Sequence, residues 1–103
     1  MPTNINKRYY KSVAGNSIDK NEYVIPNGKF VLIRKVGGNS CFHDDVKIQV
    51  CFDDECLFST HGDDMQAVEI ELEGDGVKKL TIDLVNDSIN SETVGGYYEG
   101  QEY

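Results

Sequence analysis

Three stretches in the middle of the chain alternate apolar and polar residues. Val46, Ile48, Val50 and Phe52 alternate with Lys47, Gln49 and Cys51; Val68, Ile70 and Leu72 with Glu69, Glu71 and Glu73; Leu80, Ile82 and Leu84 with Lys79, Thr81 and Asp83. Successive side chains of an extended chain point to opposite faces, so each stretch reads as a half-buried β-strand. Gly74-Asp75-Gly76 fits a hairpin turn between the last two runs, and the succession predicts an antiparallel meander. No window of about 12 residues carries the i, i+3, i+4, i+7 stripe of a helix.

Outside the middle the signals are shorter. Arg8–Val13 and Glu22–Ile25 are strand candidates rich in Tyr and Val, and Pro26-Asn27-Gly28 is a turn. Lys29–Val36 is apolar on both faces through Phe30, Val31, Leu32 and Ile33, as a covered central strand would be. Gly37-Gly38-Asn39-Ser40 is expected to end it. Val13-Ala14-Gly15-Asn16-Ser17 echoes Val36–Ser40, which suggests one turn chemistry used twice. Asn86–Glu92 reads as a polar loop. The end, from Gly95 to Tyr103, has too many aromatics for a disordered acidic tail. Terminal strand pairing or a neighbouring subunit would hold both ends of the chain.

Val46–Phe58 reads as one hairpin, and its turn leaves two registers open. A two-residue turn at Asp53-Asp54 sets Cys51 opposite Cys56, close enough for a disulfide. A three-residue turn, Asp53-Asp54-Glu55, sets Phe52 opposite Cys56 and Val50 opposite Phe58, the better hydrophobic match. Three cysteines are an odd number and do not make a complete secreted disulfide framework.

A chain of 103 residues makes one domain with one core. Its formal charge of −8 disfavours nucleic acid and anionic membranes, both of which need cationic neutralisation. No apolar run approaches the roughly 20 residues that span a bilayer. The start, Met-Pro-Thr-Asn-Ile-Asn-Lys-Arg, lacks the apolar region of a signal peptide, so synthesis in the cytoplasm is expected.

The hairpin brings the chain back to where it began, so its flanking loops should meet. That would crowd His43, Asp44, Asp45, His61, Asp63 and Asp64 at one edge, with Cys41 close in sequence. Imidazole mixed with carboxylate suits Zn²⁺, Mn²⁺ or another divalent metal ion; carboxylates with loop carbonyls suit Ca²⁺. The spacing matches no established metal motif, and charged loop tips also keep a hairpin soluble and discourage edge-to-edge association. Cys41 and His43 would share a face on a strand, but no third orienting residue completes a catalytic set, and no glycine motif opens a helix to cradle phosphate. The expectation is therefore no catalytic residue and no enzyme activity. Tyr9, Tyr10, Tyr97, Tyr98 and Tyr103 are the other candidates, as interface anchors or a stacking platform for a sugar face. Within a strand adjacent tyrosines face opposite ways, so one of each pair is core and the other exposed. Ordinary strand aromatics would look the same.

Val24-Ile25-Pro26-Asn27-Gly28-Lys29, the meander Asp45–Phe58, the turn Ser59–Asp64 and the strand Leu80–Val85 closing at Asn86 together carry a resemblance. The chain resembles small jelly-roll or galactose-binding-like β-sandwich modules, including ones built into bacteriophage tails and virions. The resemblance implies subunit contact or surface-glycan attachment, although tryptophan, the usual sugar platform, is absent. The expectation is one antiparallel, jelly-roll-like β-sandwich of about seven or eight strands. It would act as a non-enzymatic structural or adaptor protein whose partners are other protein subunits, as in a phage virion or tail. The alternative is a glycan- or Ca²⁺-dependent binding module.

Overall fold

The computed structural model describes residues 2–40 and 44–103. The alternating runs form strands: β1 (Thr3–Val13), β2 (Ser17–Val24), β3 (Phe30–Asn39), β4 (Val46–Phe52), β5 (Glu55–Thr60), β6 (Asp63–Glu73), β7 (Lys79–Asn86) and β8 (Glu92–Glu102). They make two four-stranded sheets, ordered β1-β8-β3-β6 and β2-β7-β4-β5, with every pairing antiparallel. This is the double-sheet arrangement of a jelly roll. The apolar members of the alternating runs, Val46, Ile48 and Val50 with Leu80, Ile82 and Leu84, are fully buried against Val31, Ile33 and Val36 of the other sheet.

The expected meander does not form. Only β4 and β5 are joined within a sheet; β6 pairs with β3, and β7 with β2 and β4. Alternation specifies a half-buried strand and is silent on which sheet receives it. The Gly74-Asp75-Gly76 corner is anchored to the β2–β3 loop, because Gly74 N donates to Lys29 O (2.8 Å) and Gly76 N to Ile25 O (3.1 Å). That docking carries the chain across the sandwich instead of folding it back on itself.

Two glycine-containing stretches that look alike in sequence behave differently. Around Asn16, with φ of 54°, the chain turns from β1 into β2. Gly37 and Gly38, expected to end a strand, lie inside β3, paired with Tyr97 and Gly96 of β8. Asn86, at the head of the polar loop, is fully buried. Its Nδ2 donates to Val13 O (3.0 Å) and Asn90 O (2.8 Å), while its Oδ1 accepts from Ser88 N (2.9 Å) and Ser88 Oγ (2.7 Å). One side chain thus fastens the β7–β8 loop to the end of β1.

The termini are held by each other. Thr3 pairs with Glu102 at the far end of an unbroken β1–β8 ladder. Tyr103 continues along β3 by exchanging backbone hydrogen bonds with Phe30 (2.8 and 2.9 Å). Its ring stacks on Phe30 at 5.7 Å, which covers the outward side of that strand. The β4–β5 turn is the two-residue form, with positive φ at Asp53 (50°) and Asp54 (66°), as a type I′ turn requires. Cys51 pairs with Cys56, and a register shift after Val50 leaves Leu57 as the extra residue, so Val50 also faces Phe58. The bulge reconciles the turn with the hydrophobic match, and both thiols are free.

Candidate functional site

The outer face of the β1-β8-β3-β6 sheet carries the exposed Tyr10, Met65 and Tyr103 side chains. Cross-strand pairing sets Arg8 beside Tyr97, Tyr97 beside Gly37, and Gly37 beside Met65, in one row across all four strands. In the next row Tyr10 faces Gly95, and Gly95 faces Asn39. The glycines let the rings lie down. A Cβ at Gly95 would sit 2.1 Å from Tyr10 Cδ2, and one at Gly37 would sit 2.5 Å from Tyr97 Cε1. Aromatic side chains across strand glycines cover exposed backbone and fix the pairing.

Arg8 completes the row. Its guanidinium carbon lies 4.7 Å from the Tyr97 ring centroid, and its Nη2 is 3.5 Å from Glu99 Oε1. Lys35 Nζ reaches the other Glu99 oxygen, also at 3.5 Å. These exposed ion pairs are worth little as stability. They do hold the guanidinium in place over the ring. Tyr10 is 48% exposed and Met65 is 58% exposed, on either side of the half-buried Tyr97.

Each tyrosine pair splits across the sheet. Tyr98 and Tyr9 face inward, the first a core residue and the second half-buried against the core, while Tyr97 and Tyr10 face outward. Tyr103 donates to Glu71 of β6 and stands at the sheet's far corner, away from the Tyr10 row.

The loops flanking the β4–β5 hairpin do converge. Ser40 Oγ donates to His61 O (2.5 Å), Ser40 N donates to Gly62 O (3.2 Å), and His61 Nδ1 lies 3.0 Å from Val46 O. Asp44, Asp45, His61, Asp63 and Asp64 are all exposed there. Asp64 Oδ1 accepts from Met65 N at 2.8 Å. His43 and Cys41 lie outside the described residues. Among the described residues, no three His, Cys, Asp or Glu side chains are gathered as a metal would need.

Cys51 is buried on the outer face of the second sheet, beside exposed Cys56. Burial, then the Cys56 thiol and the Asp83 carboxylate, push its pKa up, so it stays a protonated thiol. Sequence reasoning missed two features. Arg8 carries no motif, and its placement over Tyr97 depends on the β1–β8 register. The second is an opening between the sheets beside β1 and β2, lined by Tyr23, Tyr98 and Glu102.

Comparison with protein-family models, with curated proteins and with solved structures found no match to the chain.

Proposed function

We propose that the protein is a non-enzymatic structural or adaptor protein that works through protein–protein contacts made by the outer face of the β1-β8-β3-β6 sheet. One observation carries this reading: Tyr10, Met65 and the Arg8 side chain, 48%, 58% and 54% exposed, surround Tyr97 on one face of the sheet. Tyr, Arg and Met are the residue types enriched where protein interfaces are buried. Glycine sockets and the Glu99 ion pair hold these groups before a partner arrives, which lowers the ordering cost of binding. A sugar platform on this face is less well supported, because the Arg8 guanidinium already occupies a face of Tyr97. The jelly-roll strand order, used in capsids as well as lectins, supports an assembly such as a phage virion or tail only by analogy of fold.

Light scattering over a range of protein concentrations, with cross-linking in the presence of subunits encoded beside this chain, tests the reading. Assembly or subunit capture weakened at least tenfold (about 1.4 kcal/mol) by Tyr10→Ala is the expected result. A strict monomer that retains no subunit overturns it.

A further inference from the structure

β1 and β2 are the edge strands on the same side of the sandwich, one in each sheet, and the gap between them opens to solvent. The opening has a volume of about 250 Å³ and is lined by Ile5, Asn6 and Lys7 of β1, Glu22 and Tyr23 of β2, and Tyr98 and Glu102 of β8. That volume is just below the range usual for drug-sized ligands and suits a single small ring.

The polar groups around it are unusually organised for a sandwich edge. Tyr23 Oη donates to Glu102 Oε2 at 2.5 Å, across the two sheets. This fixes a carboxylate in the mouth and leaves its other oxygen to accept. Tyr98 lines the opening from the core side, with 1% of its surface exposed. On the same face of β2, two residues before Tyr23, Asn21 Oδ1 is buried with no hydrogen-bond partner.

We infer that this mouth is a binding site for a small neutral polyhydroxylated ligand, a single sugar ring, with Tyr98 and Glu102 as its principal hydrogen-bonding residues. Charge decides the ligand class. The Glu22 carboxylate is taken by Lys79 Nζ at 3.0 Å, which leaves one ammonium, Lys7, and one carboxylate, Glu102, to act on a ligand, so neither sign of charge gains on balance. A neutral polyol uses both kinds of group, since each hydroxyl donates and accepts: it gives protons to Glu102 and receives them from Lys7 and Tyr98. Ile5 and the tyrosine rings supply the apolar surface that the C–H face of a sugar needs. The site lies between the sheets, apart from the outer face that carries the proposed protein contacts, so either reading can fail without the other.

Saturation-transfer NMR and isothermal calorimetry on the full chain test the site. The probes are the methyl glycosides of glucose, galactose and mannose, with lysine and glucuronate as charged counterparts. At least one neutral glycoside is expected to bind, with affinity lowered at least tenfold by Tyr98→Phe and by Glu102→Gln. Tyr98→Phe removes only the hydroxyl, so its melting temperature is expected to stay close to the wild type's. The inference is overturned by absence of binding to every neutral glycoside, or by tighter binding of lysine or glucuronate. Unchanged affinity in both variants would overturn it too, as would a Tyr98→Phe protein that melts markedly earlier, which would make the hydroxyl a structural partner.

Discussion

The Tyr97 ring lies across Gly37 of the neighbouring strand, so close that a methyl group at Gly37 would stand 2.5 Å from Tyr97 Cε1 and Cζ. The inner side of the same patch is as tight. A Cβ at Gly96 would meet Ile48 Cγ2 at 2.7 Å and Ile82 Cγ2 at 2.9 Å, both from the opposing sheet. Gly37, Gly38, Gly95 and Gly96 therefore form a thin window in the sheet, with tyrosines resting on its outer side and isoleucines seated on its inner side.

The two sides should respond differently to substitution. Gly96→Ala pushes into packed isoleucines that have nowhere to go and should cost about 1–3 kcal/mol. Gly37→Ala displaces a ring that can swing into solvent, so its stability cost should be smaller. It should instead loosen the Arg8–Tyr97 stack and weaken partner binding. Denaturant midpoints for both variants, with a partner-binding measurement for Gly37→Ala, check this ordering.

Asn86 serves four hydrogen bonds from a fully buried position. Asn86→Ala strands the Val13 carbonyl and unties the β7–β8 loop, with an expected loss of about 2–4 kcal/mol. A domain of this size melts about 4–8 °C earlier per kcal/mol lost, so calorimetry should register a large fall. Asn86→Asp keeps the acceptor but sets a buried carboxylate oxygen against the Val13 and Asn90 carbonyls, and should destabilise at least as much.

The β4–β5 turn holds two aspartates at positive φ, 50° and 66°. Left-handed backbone costs a non-glycine residue about 1–2 kcal/mol, and Asn-Gly is the pair that type I′ turns favour. Asp53→Asn with Asp54→Gly should stabilise the protein by about 1 kcal/mol without moving the Cys51–Cys56 register. An unchanged or lower denaturant midpoint would count against this account of the turn.

How far the sequence speaks depends on the range of the interaction. Val46 through Leu84 declare their strands because alternation is local, and the parity of Tyr97 and Tyr98 follows from the same period. The sheet that each strand joins depends on contacts such as Gly74 with Lys29, which no local pattern encodes. Gly37-Gly38 reads as a break because glycine weakens isolated strands; the Tyr97 and Ile48 side chains that fit against it come from elsewhere in the chain. The Tyr23–Glu102 bond joins residues 79 positions apart, so the mouth it frames could not be read from spacing.

That bond should also make stability depend on alkaline pH. The hydrogen bond to Glu102 first, then burial and the charge of that carboxylate, raise the Tyr23 phenol from 10.0 to about 12. Below pH about 10 the phenol is protonated in both folded and unfolded chains, and the stabilisation linked to it is fully present. Between pH about 10 and about 12 the unfolded chain gives up its proton first, so the folded state holds more protons and stability falls as pH rises. Tyr98 and Tyr103 are shifted in the same direction, by burial and by the Glu71 hydrogen bond respectively, and add to the slope. Tyr23→Phe removes one contribution and leaves the other two. Denaturation midpoints measured across this window should therefore decline less steeply for Tyr23→Phe than for the wild type, and equal slopes would mean that the Glu102 bond does not hold the phenol's proton.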